Sequence, residues 1–478
     1  MTFMLRAMTA PALATNARLR RLPPLRGEVI ETIKLSFPIA LTQLGEIAMM
    51  TTDLAMIGRL GDAAIAAAAL GQIVLFVAFV AGLGIISAVA PLAAQAYGAR
   101  EPRMVRRALR VGLWVAVLLG VPLTFVQMHG ETLLLLAGQE PKSAALAQQY
   151  LFGLGWSIVP AWSYMAFRNF MSAVNRPAPA LWVMAAAIPL NAFLAFGLIN
   201  GAFGMPRLGI LGAGVATTIV NVVMCLSLVW MCYAMRPFKK YRVLGKFWRF
   251  DRVLFEKLLV VGLPISAGYI LEVGLFAGAG LLMGWIGTEA LAAHQIALQV
   301  ASIVFMVPFG ISMAASVRVG QAAGRNDPAA ARRAGFVALV LAGLFMLAMA
   351  AVIVFTRGTI PHLFLDSAAN PATFALTSTL LGIGACFFAF DGLQTVGAGA
   401  LRGLNDTRVP FVYAGLSFWL VGFVTAYCLA FVFGYGAPGI WVGLTLGLIV
   451  YAALLVRRFQ RLTLGGLPPG AAVARGEG

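Results

Sequence analysis

The sequence contains few charged residues for its length. Asp, Glu, Lys and Arg make up 11% of its 478 residues and hydrophobic residues 61%, whereas soluble domains carry about 25% charged residues. This composition excludes a water-soluble globular protein. Acids are the scarcer charge, because 17 Asp and Glu stand against 35 Lys and Arg, so any acid inside an apolar segment needs an explanation.

Cysteine is also scarce. The four cysteines lie in apolar segments and form neither a disulfide framework nor a zinc-binding spacing. Little sequence remains outside the apolar segments, which excludes a soluble catalytic domain. We therefore predict that the chain is not an enzyme and requires no cofactor.

A signal peptide is not evident in the first 33 residues. They include the basic stretch "RLRRLPPLR", but a signal peptide would need a longer apolar stretch after its basic region. The sequence therefore predicts a cytoplasmic tail.

Long apolar runs recur along the whole chain. Each can cross a hydrocarbon core of about 30 Å as a helix that rises about 1.5 Å per residue. The runs do not alternate, which argues against an outer-membrane barrel. We predict an all-α polytopic membrane protein with twelve transmembrane helices, near residues 34–58, 66–96, 106–128, 146–168, 177–200, 209–235, 257–285, 289–316, 332–356, 373–399, 409–432 and 437–458.

Lys and Arg are unevenly distributed over the loops between these spans. Both tails, the loops after even-numbered spans and the span ends that adjoin them hold 31 of the 35, and the positive-inside rule assigns such regions to the cytoplasm. The distribution accounts for the net charge of +18, so we expect no nucleic-acid partner. It predicts a multi-pass protein of the bacterial inner membrane with both termini in the cytoplasm.

The chain contains an internal repeat. The stretch "LSFPIALTQLGEIAMM" resembles "VGLPISAGYILEVGLF", and a shift of 226 residues pairs Pro38 with Pro264 and Gln95 with Gln321. Because each copy contains six spans, both enter the bilayer in the same direction. We expect an axis along the membrane normal to relate the copies, as in transporters built from parallel repeats.

The repeat divides the chain into two pseudo-twofold lobes of six helices around a central cleft. We predict a cytoplasmic tail at 1–33, an N lobe at 34–235, a basic cytoplasmic linker at 236–256, a C lobe at 257–458 and a second cytoplasmic tail at 459–478.

Four acids lie inside spans, and the predicted bounds place no Lys or Arg at comparable depth. They are Glu46 and Asp53 in span 1, Glu272 in span 7 and Asp391 in span 10. A charged side chain at a helix centre costs about 2.5–3.5 kcal/mol on insertion scales, so the set indicates function. The alternative for each acid is a neutral carboxyl group that hydrogen-bonds a neighbouring helix.

The positions of these acids suggest what they bind. Glu46 and Asp53 are seven residues apart and share one helix face, and the repeat pairs Glu46 with Glu272 on matching walls of the cleft. Carboxyl groups in such a cleft can hold a proton, or can ligate Na⁺ together with hydroxyl and carbonyl oxygens. Organic cations would compete for the same groups.

Five stretches together resemble a known family over about residues 34–458. They are "FPIALTQLGEIAMMTTDLAMIGRLG", "PLAAQAYGA", "IPLNAFLAFGLINGAFGMPRLGILGAGVAT", "ALAAHQIALQVASIVFMVPFGISMAASVRVGQAAG" and "DGLQTVGAGALRGLNDTRVP". The chain resembles the multidrug and toxic compound extrusion (MATE) transporters, closest to the NorM-like branch. The resemblance implies a twelve-helix, two-lobe antiporter that exports cationic, amphipathic drugs in exchange for Na⁺ or H⁺. We expect such drugs and the lipid bilayer as its partners, and a monomer.

The resemblance also assigns site residues. It implies that Asp53, Glu272 and Asp391 carry coupling and drug binding. Asn191 in "IPLN" and Thr217 in "GVAT" match polar positions of the N-lobe site. Glu46 is an additional acid that the family pattern does not explain, and we include it among the candidate coupling residues.

Two departures from the family pattern bear on the coupling ion. The chain has Ala187 where many relatives have Asn, four residues before Asn191, and Phe387 where NorM-like relatives often have Tyr, one turn before Asp391. Each departure removes an oxygen ligand, which favours H⁺ over Na⁺. Glu272 and Asp391 would ligate a metal ion only if coupling used Na⁺.

Two further residues are secondary candidates. His294 in "LAAHQIA" could relay protons, because histidine titrates near neutrality, although a hydrogen bond within the bundle is the more common role. Phe387 and its aromatic neighbours could line a drug cavity, although aromatic clusters in membrane helices more often pack or face lipid.

Other classes fit the sequence less well. The loop "AYGAREPRMVRR" between spans 2 and 3 differs from the Gly–Asp–Arg-rich loop of major-facilitator transporters. Lipid or polysaccharide flippases of the wider superfamily often carry basic residues in the cavity, and we predict an acidic one. A membrane enzyme would need a cluster of Asp, His or Arg at a membrane face, and a channel would not need such acids within two repeat lobes.

Overall fold

The computed structural model describes residues 25–243, 245, 247–364 and 370–466, and the regular structure in these ranges is entirely helical. Most of the two predicted tails lies outside the described residues. The predicted all-α fold is confirmed.

The N lobe contains nine helices in the described residues. They are α1 (Leu25–Gly58), α2 (Asp62–Ser87), α3 (Val89–Gly98), α4 (Pro102–Met128), α5 (Gly130–Leu136), α6 (Pro141–Gly155), α7 (Ile158–Ala173), α8 (Ala178–Asn200) and α9 (Ile210–Ala234).

The described residues of the linker contain one 3₁₀ turn, Phe238–Tyr241, and the C lobe follows the linker. Its helices are α10 (Arg252–Ile286), α11 (Thr288–Gly324), α12 (Pro328–Thr356), α13 (Pro371–Gly403), α14 (Arg408–Ala414), α15 (Val424–Tyr427) and α16 (Gly436–Leu464). The π-helical segment Gly415–Phe423 joins α14 to α15, and the π-helical turn Cys428–Val432 continues α15.

The twelve predicted spans agree with this architecture. Ten helices of the described chain are long and apolar enough to cross a membrane, counting α2 with α3 and Arg408–Val432 as one each. The other two predicted spans correspond to α1, which is less apolar because it carries Glu46 and Asp53, and to α6 and α7, which are separated at Trp156 and Ser157.

Each lobe contains a large apolar core, and the N-lobe core extends to buried residues of α10 and α11, such as Leu258 and Val317. In the N lobe, α8 packs against α1 and α9, and α6 packs against α2 and α9. In the C lobe, α13 packs against α11, α12 and α16. The lobes meet where α1 and α3 contact α11 and where α2 contacts α10.

A glutamine of α3 joins the N lobe to the C lobe. Gln95 Nε2 donates a hydrogen bond of 2.9 Å to the carbonyl oxygen of Gly403, the last residue of α13. Its Oε1 accepts a hydrogen bond of 2.7 Å from Asn405 Nδ2. A single amide side chain of the N lobe therefore holds the end of a C-lobe helix and the turn that follows it.

The repeat mate of this glutamine makes the reciprocal contacts. Gln321 Nε2 in α11 donates to the carbonyl oxygen of Ala173, the last residue of α7, at 2.9 Å, and to Asn175 Oδ1 at 3.0 Å. The two asparagines share a left-handed backbone, with φ of 60° at Asn175 and 59° at Asn405. We call the four side chains the amide latch: Gln95, Asn405, Gln321 and Asn175.

Two glycines allow the helices of the latch to approach each other. A Cβ atom on Gly98 would lie 2.1 Å from the carbonyl oxygen of Gln321, and one on Gly324 would lie 2.0 Å from that of Gln95. Real Cβ atoms do not approach an oxygen so closely, so glycine is required at both positions.

The lobes are joined at one end of the molecule, the end at which α1 begins and α16 ends, here called the tail end. The amide latch and the ion pair between Glu28 and Arg318 (2.6 Å) lie there. The hydrogen bond from Ser266 Oγ to the Ala81 carbonyl (2.7 Å) joins the lobes nearer the middle of α10. Within the described ranges, the other hydrogen bonds that join the two lobes belong to the tail end. The cleft is therefore closed at its tail end.

Candidate functional site

Two acids of the C lobe share one amide. Gln394 Nε2 donates to Glu272 Oε1 at 3.0 Å and to Asp391 Oδ1 at 3.1 Å. Asp391 and Gln394 are three residues apart on α13, so both face α10, which carries Glu272. The structure brings together the two predicted C-lobe acids, and Gln394, which we did not predict, bridges them.

A cavity lies beside this group, with Glu272 and Gln394 in its wall. Thr395 adds a hydroxyl group, and its buried Oγ1 has no hydrogen-bond partner among the described residues. Aromatic rings supply much of the remaining wall, from Tyr269, Phe305, Phe309, Phe411, Phe418 and Tyr451. The cavity therefore combines acidic, polar and aromatic surface.

An arginine stands at the edge of the same cavity. Arg402 Nη1 donates to the Tyr269 hydroxyl at 2.7 Å, and the guanidinium carbon lies 4.8 Å from the centre of that ring. We had assigned Arg402 to a loop, but it is the penultimate residue of α13. The sequence analysis had predicted an acidic cavity, but the wall of this cavity contains an arginine as well.

The N-lobe candidates form a second group. Asn191 Nδ2 donates to Asp53 Oδ1, and Thr217 Oγ1 donates to Asp53 Oδ2 at 2.9 Å. Helices α1, α8 and α9 each contribute one of these residues, and all three are buried. The resemblance had named them together, and the structure places them in contact.

Glu46 lies in different surroundings from Asp53. Arg168 Nη1 donates to Glu46 Oε1 and to Gln43 Oε1, and Arg168 is only 2% exposed, whereas the Glu46 side chain is 38% exposed. The statement that no basic residue lies near the four acids is therefore wrong for Glu46. It failed because we ended span 4 at Arg168, whereas α7 continues to Ala173.

The other three acids lack such a partner. Within the described residues, neither Asp53, Glu272 nor Asp391 forms a salt bridge, although Arg402 is close enough to Glu272 to attract it. Each of the three accepts hydrogen bonds from neutral amide or hydroxyl groups instead.

Arg168, the partner of Glu46, and Gln394, the partner of Glu272, occupy similar positions in the two repeats. Arg168 lies seven residues before Asn175, and Gln394 lies eleven residues before the equivalent Asn405. The difference of four residues is about one helical turn, so both side chains project from the same face of their helices. Glu46 of the N lobe is thus paired with an arginine, and Glu272 of the C lobe with a glutamine.

His294 and Phe387 belong to the core of the C lobe. Trp441 Nε1 donates to His294 Nδ1 at 3.2 Å, and the Phe387 ring lies 5.3 Å from that of Trp441. Both residues are at most 1% exposed, and neither lines the cavity beside Glu272. His294 therefore takes part in a hydrogen bond between two helices of the bundle, and Phe387 packs against Trp441 in the core.

A polar contact outside the membrane-spanning segments anchors the linker. Asp251 caps α10 by accepting from the Leu254 N–H at 3.2 Å and pairs with Arg107 of α4. Burial alone would raise the pKa of Asp251, but the hydrogen bonds from Arg107 and from the Leu254 N–H outweigh it and hold the pKa below its usual value. The linker is thereby fixed to the N lobe.

The described residues contain no cluster of three His, Cys, Asp or Glu side chains that could hold a metal ion. A Na⁺ ion bound as cargo at Glu272 and Asp391 would therefore need oxygens from neutral groups such as Gln394 and Thr395.

Two lobes of matching topology joined at one end, with a cavity that carries an acid and an arginine in its wall, are typical of membrane transporters built from parallel repeats. The MatE family model matches residues 38–196 and 264–428, once in each lobe. The chain belongs to the MATE family.

Relatives and solved structures agree with this assignment. The chain is 57% identical over 466 residues to a "Probable multidrug resistance protein NorM" of Rhodopseudomonas palustris, covering 96% of this chain and 98% of the relative. It is 40% identical to the "Multidrug resistance protein NorM" of Burkholderia vietnamiensis, covering 92% and 96%. The fold matches a eukaryotic MATE transporter with a TM-score of 0.81 at 21% identity, covering 92% of this chain and 98% of the other.

Proposed function

We propose that this chain is a secondary active multidrug efflux antiporter that exports amphipathic organic cations in exchange for H⁺ or Na⁺. Its relatives carry the name multidrug resistance protein NorM, which supports the multidrug part. The proposal includes an inner-membrane location with both termini in the cytoplasm, supported by the distribution of Lys and Arg.

The pair of acids bridged by Gln394 is the observation on which the proposal rests. Glu272 and Asp391 lack a salt-bridge partner among the described residues, and Glu272 borders a cavity with aromatic walls. A carboxylate selects positive charge, and apolar walls accommodate an aromatic body. An organic cation of moderate size satisfies both requirements.

We assign coupling to the same acids and to Asp53. Protonation of Asp53 would change the hydrogen bonds that it accepts from Asn191 on α8 and Thr217 on α9, and so would alter how α1 packs in the N lobe. An element with two arrangements that a proton biases is what antiport requires. We favour H⁺ over Na⁺, because Ala187 and Phe387 provide no oxygen ligand.

Release and uptake of the drug would alternate through the cleft. The lobes are joined at the tail end, so the cleft can open to the cytoplasm only if the amide latch separates. We propose that binding of the drug and release of the coupling ion bias this separation.

Transport by purified protein in liposomes tests the proposal. We expect an imposed pH gradient to drive ethidium transport. We expect a Na⁺ gradient without a pH gradient to be ineffective. Transport that requires Na⁺ and ignores the pH gradient would contradict the choice of H⁺. The absence of ethidium transport under either gradient would contradict multidrug antiport itself.

The flippase alternative is tested in the same liposomes. Arg168 and Arg402 are basic side chains near the cleft, as a phosphate-binding flippase would require, but Arg168 is paired with Glu46. Transfer of a fluorescent anionic lipid between leaflets, without ethidium export, would favour the flippase.

A further inference from the structure

The first turns of α4 and the end of the linker bring four arginines together at the tail end of the molecule. Arg106, Arg107 and Arg249 are close enough to Arg110 to repel it, and Asp251 is close enough to attract it. Asp251 also pairs with Arg107. We call these four side chains the arginine cluster. Four guanidinium groups therefore stand near one carboxylate, which leaves an excess of positive charge.

Two members of the arginine cluster retain unused donors. The buried Nε of Arg106 has no hydrogen-bond partner among the described residues. Its Nη1 would lie 3.8 Å from a Cβ atom on Gly245, so the linker passes beside this side chain. Arg249 is exposed and forms no ion pair within the same part of the chain. Because a guanidinium group carries five N–H donors, the cluster can donate to a further anion.

Aromatic contacts hold the linker against α4. Trp114 Nε1 of α4 donates to the carbonyl oxygen of Phe247 at 3.2 Å, and the two rings stack with their centres 5.4 Å apart. Phe250 packs edge-on against the same indole, with 6.0 Å between the ring centres. Arg249 lies between these two anchored residues in the chain, so its backbone is held next to the arginines of α4. The cluster is therefore formed before any ligand binds.

Exposed apolar side chains adjoin the arginine cluster. Trp248 is 88% exposed, Val253 77% and Phe250 46%, and all three lie within four residues of Arg249. Tryptophan beside basic residues is typical of segments at the boundary between lipid headgroups and acyl chains. A free phosphate ion would use the arginines alone, whereas a phospholipid would use the arginines and the apolar side chains together. The composition of this surface therefore favours a lipid.

We propose that the arginine cluster binds the headgroup phosphate of an anionic phospholipid from the leaflet at the tail end, with the acyl chains beside Trp248 and Val253. The two non-bridging oxygens of a phosphodiester can accept parallel hydrogen bonds from a guanidinium fork. Basic pockets between membrane helices recognise anionic headgroups in this way. The lipid would contact α4 of the N lobe and the linker at the start of α10, and so would stabilise the connection between the lobes. This inference is independent of the substrate and coupling ion proposed above.

Binding of phosphatidylglycerol with a fluorescent label on its acyl chain, to the purified full-length protein in a neutral detergent, tests the site. We expect Arg106→Gln combined with Arg249→Gln to weaken binding about tenfold, which corresponds to about 1.4 kcal/mol. The matched control combines Arg332→Gln with Arg457→Gln, which removes two exposed arginines at the tail end of the C lobe and should leave the affinity unchanged. Melting temperatures without lipid show that each variant is folded. An equal loss in both double variants would reveal only a general attraction between charges and would overturn the proposal.

The wild type alone provides a test that does not depend on the arginine variants. Phosphatidylcholine, whose headgroup has no net charge, should bind more weakly than phosphatidylglycerol, and equal affinities would overturn the proposal. Inorganic phosphate, compared with chloride at the same ionic strength, should not displace the labelled lipid. Full displacement would make the cluster a site for free phosphate and would refute the lipid. Trp248→Ala, a change at an exposed position, should weaken binding of phosphatidylglycerol, and an unchanged affinity would contradict the placement of the acyl chains.

Discussion

At the residue scale, the central feature is one amide that serves two carboxyl groups. Gln394 can donate to Glu272 and Asp391 at the same time, but it cannot neutralise two negative charges. Two nearby carboxylates repel each other, so one proton or one cation bound between them lowers the energy of the site. This is the physical reason to expect these residues to compete for a coupling ion and a drug.

The first prediction concerns these two acids. Glu272→Gln and Asp391→Asn should each abolish drug resistance in cells while leaving expression intact, because the amide keeps the shape but cannot carry charge. Growth in ethidium, with membrane expression measured by immunoblot, checks this. Wild-type resistance from either folded variant would contradict the assignment.

The second prediction concerns Asp53. Asp53→Asn should remove the dependence of transport on a pH gradient, because the amide that would then lie between Asn191 and Thr217 cannot bind and release a proton. The measurement is ethidium flux in liposomes over a series of imposed pH gradients. Thr217→Val, which removes one donor but keeps the acid, is the comparison and should retain dependence on the gradient.

The third prediction concerns the ion pair of Glu46. Glu46→Gln leaves Arg168 buried without a counterion and should lower the melting temperature. The loss should be smaller than the roughly 3–5 kcal/mol typical of a fully buried pair, because Glu46 is partly exposed. Adding Arg168→Met should recover much of the loss, and Glu256→Gln, in an exposed pair, should have little effect. An unchanged melting temperature for Glu46→Gln would contradict the structural role.

Part of the site could be predicted from residues alone. The acids were found because charge is rare in apolar segments. Their partners were not, because Glu46 and Arg168 are 122 residues apart and only packing shows that they meet. Asn191 and Thr217 came from the family resemblance, since nothing in their spacing indicates contact with Asp53. Gln394 gave no signal, because a neutral glutamine in a helix is unremarkable by composition.

At the scale of the elements, the hydrogen bonds of the amide latch hold the two lobes together at the tail end. Each latch glutamine binds the end of a helix in the other lobe, where carbonyl groups lack an intrahelical partner. Most helix bounds were predicted to within six residues, but α1 begins nine residues before the predicted span and α11 ends eight residues after it. Polar residues there continue the helices beyond the apolar runs that set the predicted bounds.

The fourth prediction tests the latch. Gln95→Leu and Gln321→Leu should shift the molecule towards a state open at the tail end, by similar amounts, because the two glutamines make equivalent contacts. Spin labels at Arg103 and Ala329, exposed repeat mates on the two lobes, would report longer distances by pulsed EPR in a cysteine-free background. Gln139→Leu at the opposite end is the control. A response to only one of the two substitutions would contradict the symmetric role.

At the scale of the whole molecule, the chain forms two lobes, and α10 and α11 of the C lobe also contribute buried residues to the N-lobe core. The repeat predicted this organisation, and the family model matches each half independently. The sequence does not predict which end of the cleft is closed. Closure of the tail end depends on contacts such as that of Glu28 with Arg318, which join residues 290 positions apart.

The fifth prediction follows from the linker. Cutting the chain after Gly245 leaves Phe238 and Tyr241 in the N-lobe core and keeps the cap at Asp251 with α10. Because the linker contains no predicted membrane span, the two fragments expressed together should associate and restore ethidium resistance. Each fragment alone should not. Fragments that insert and co-purify but confer no resistance would show that the covalent linker is needed for transport.

The amide latch and the unequal acids of the two lobes together suggest a history for the chain. A six-helix ancestor that paired with a second copy of itself would already have contained both halves of the latch, because each half is made by the same positions. After duplication and fusion of its gene, both halves remained, since either lobe needs the other's glutamine to close. Such a history would leave the acids free to diverge, and Glu46 now has an arginine partner whereas Glu272 has a glutamine and a second carboxyl group beside it. Fusion would thus have allowed a symmetric pair of sites to become two sites with different tasks.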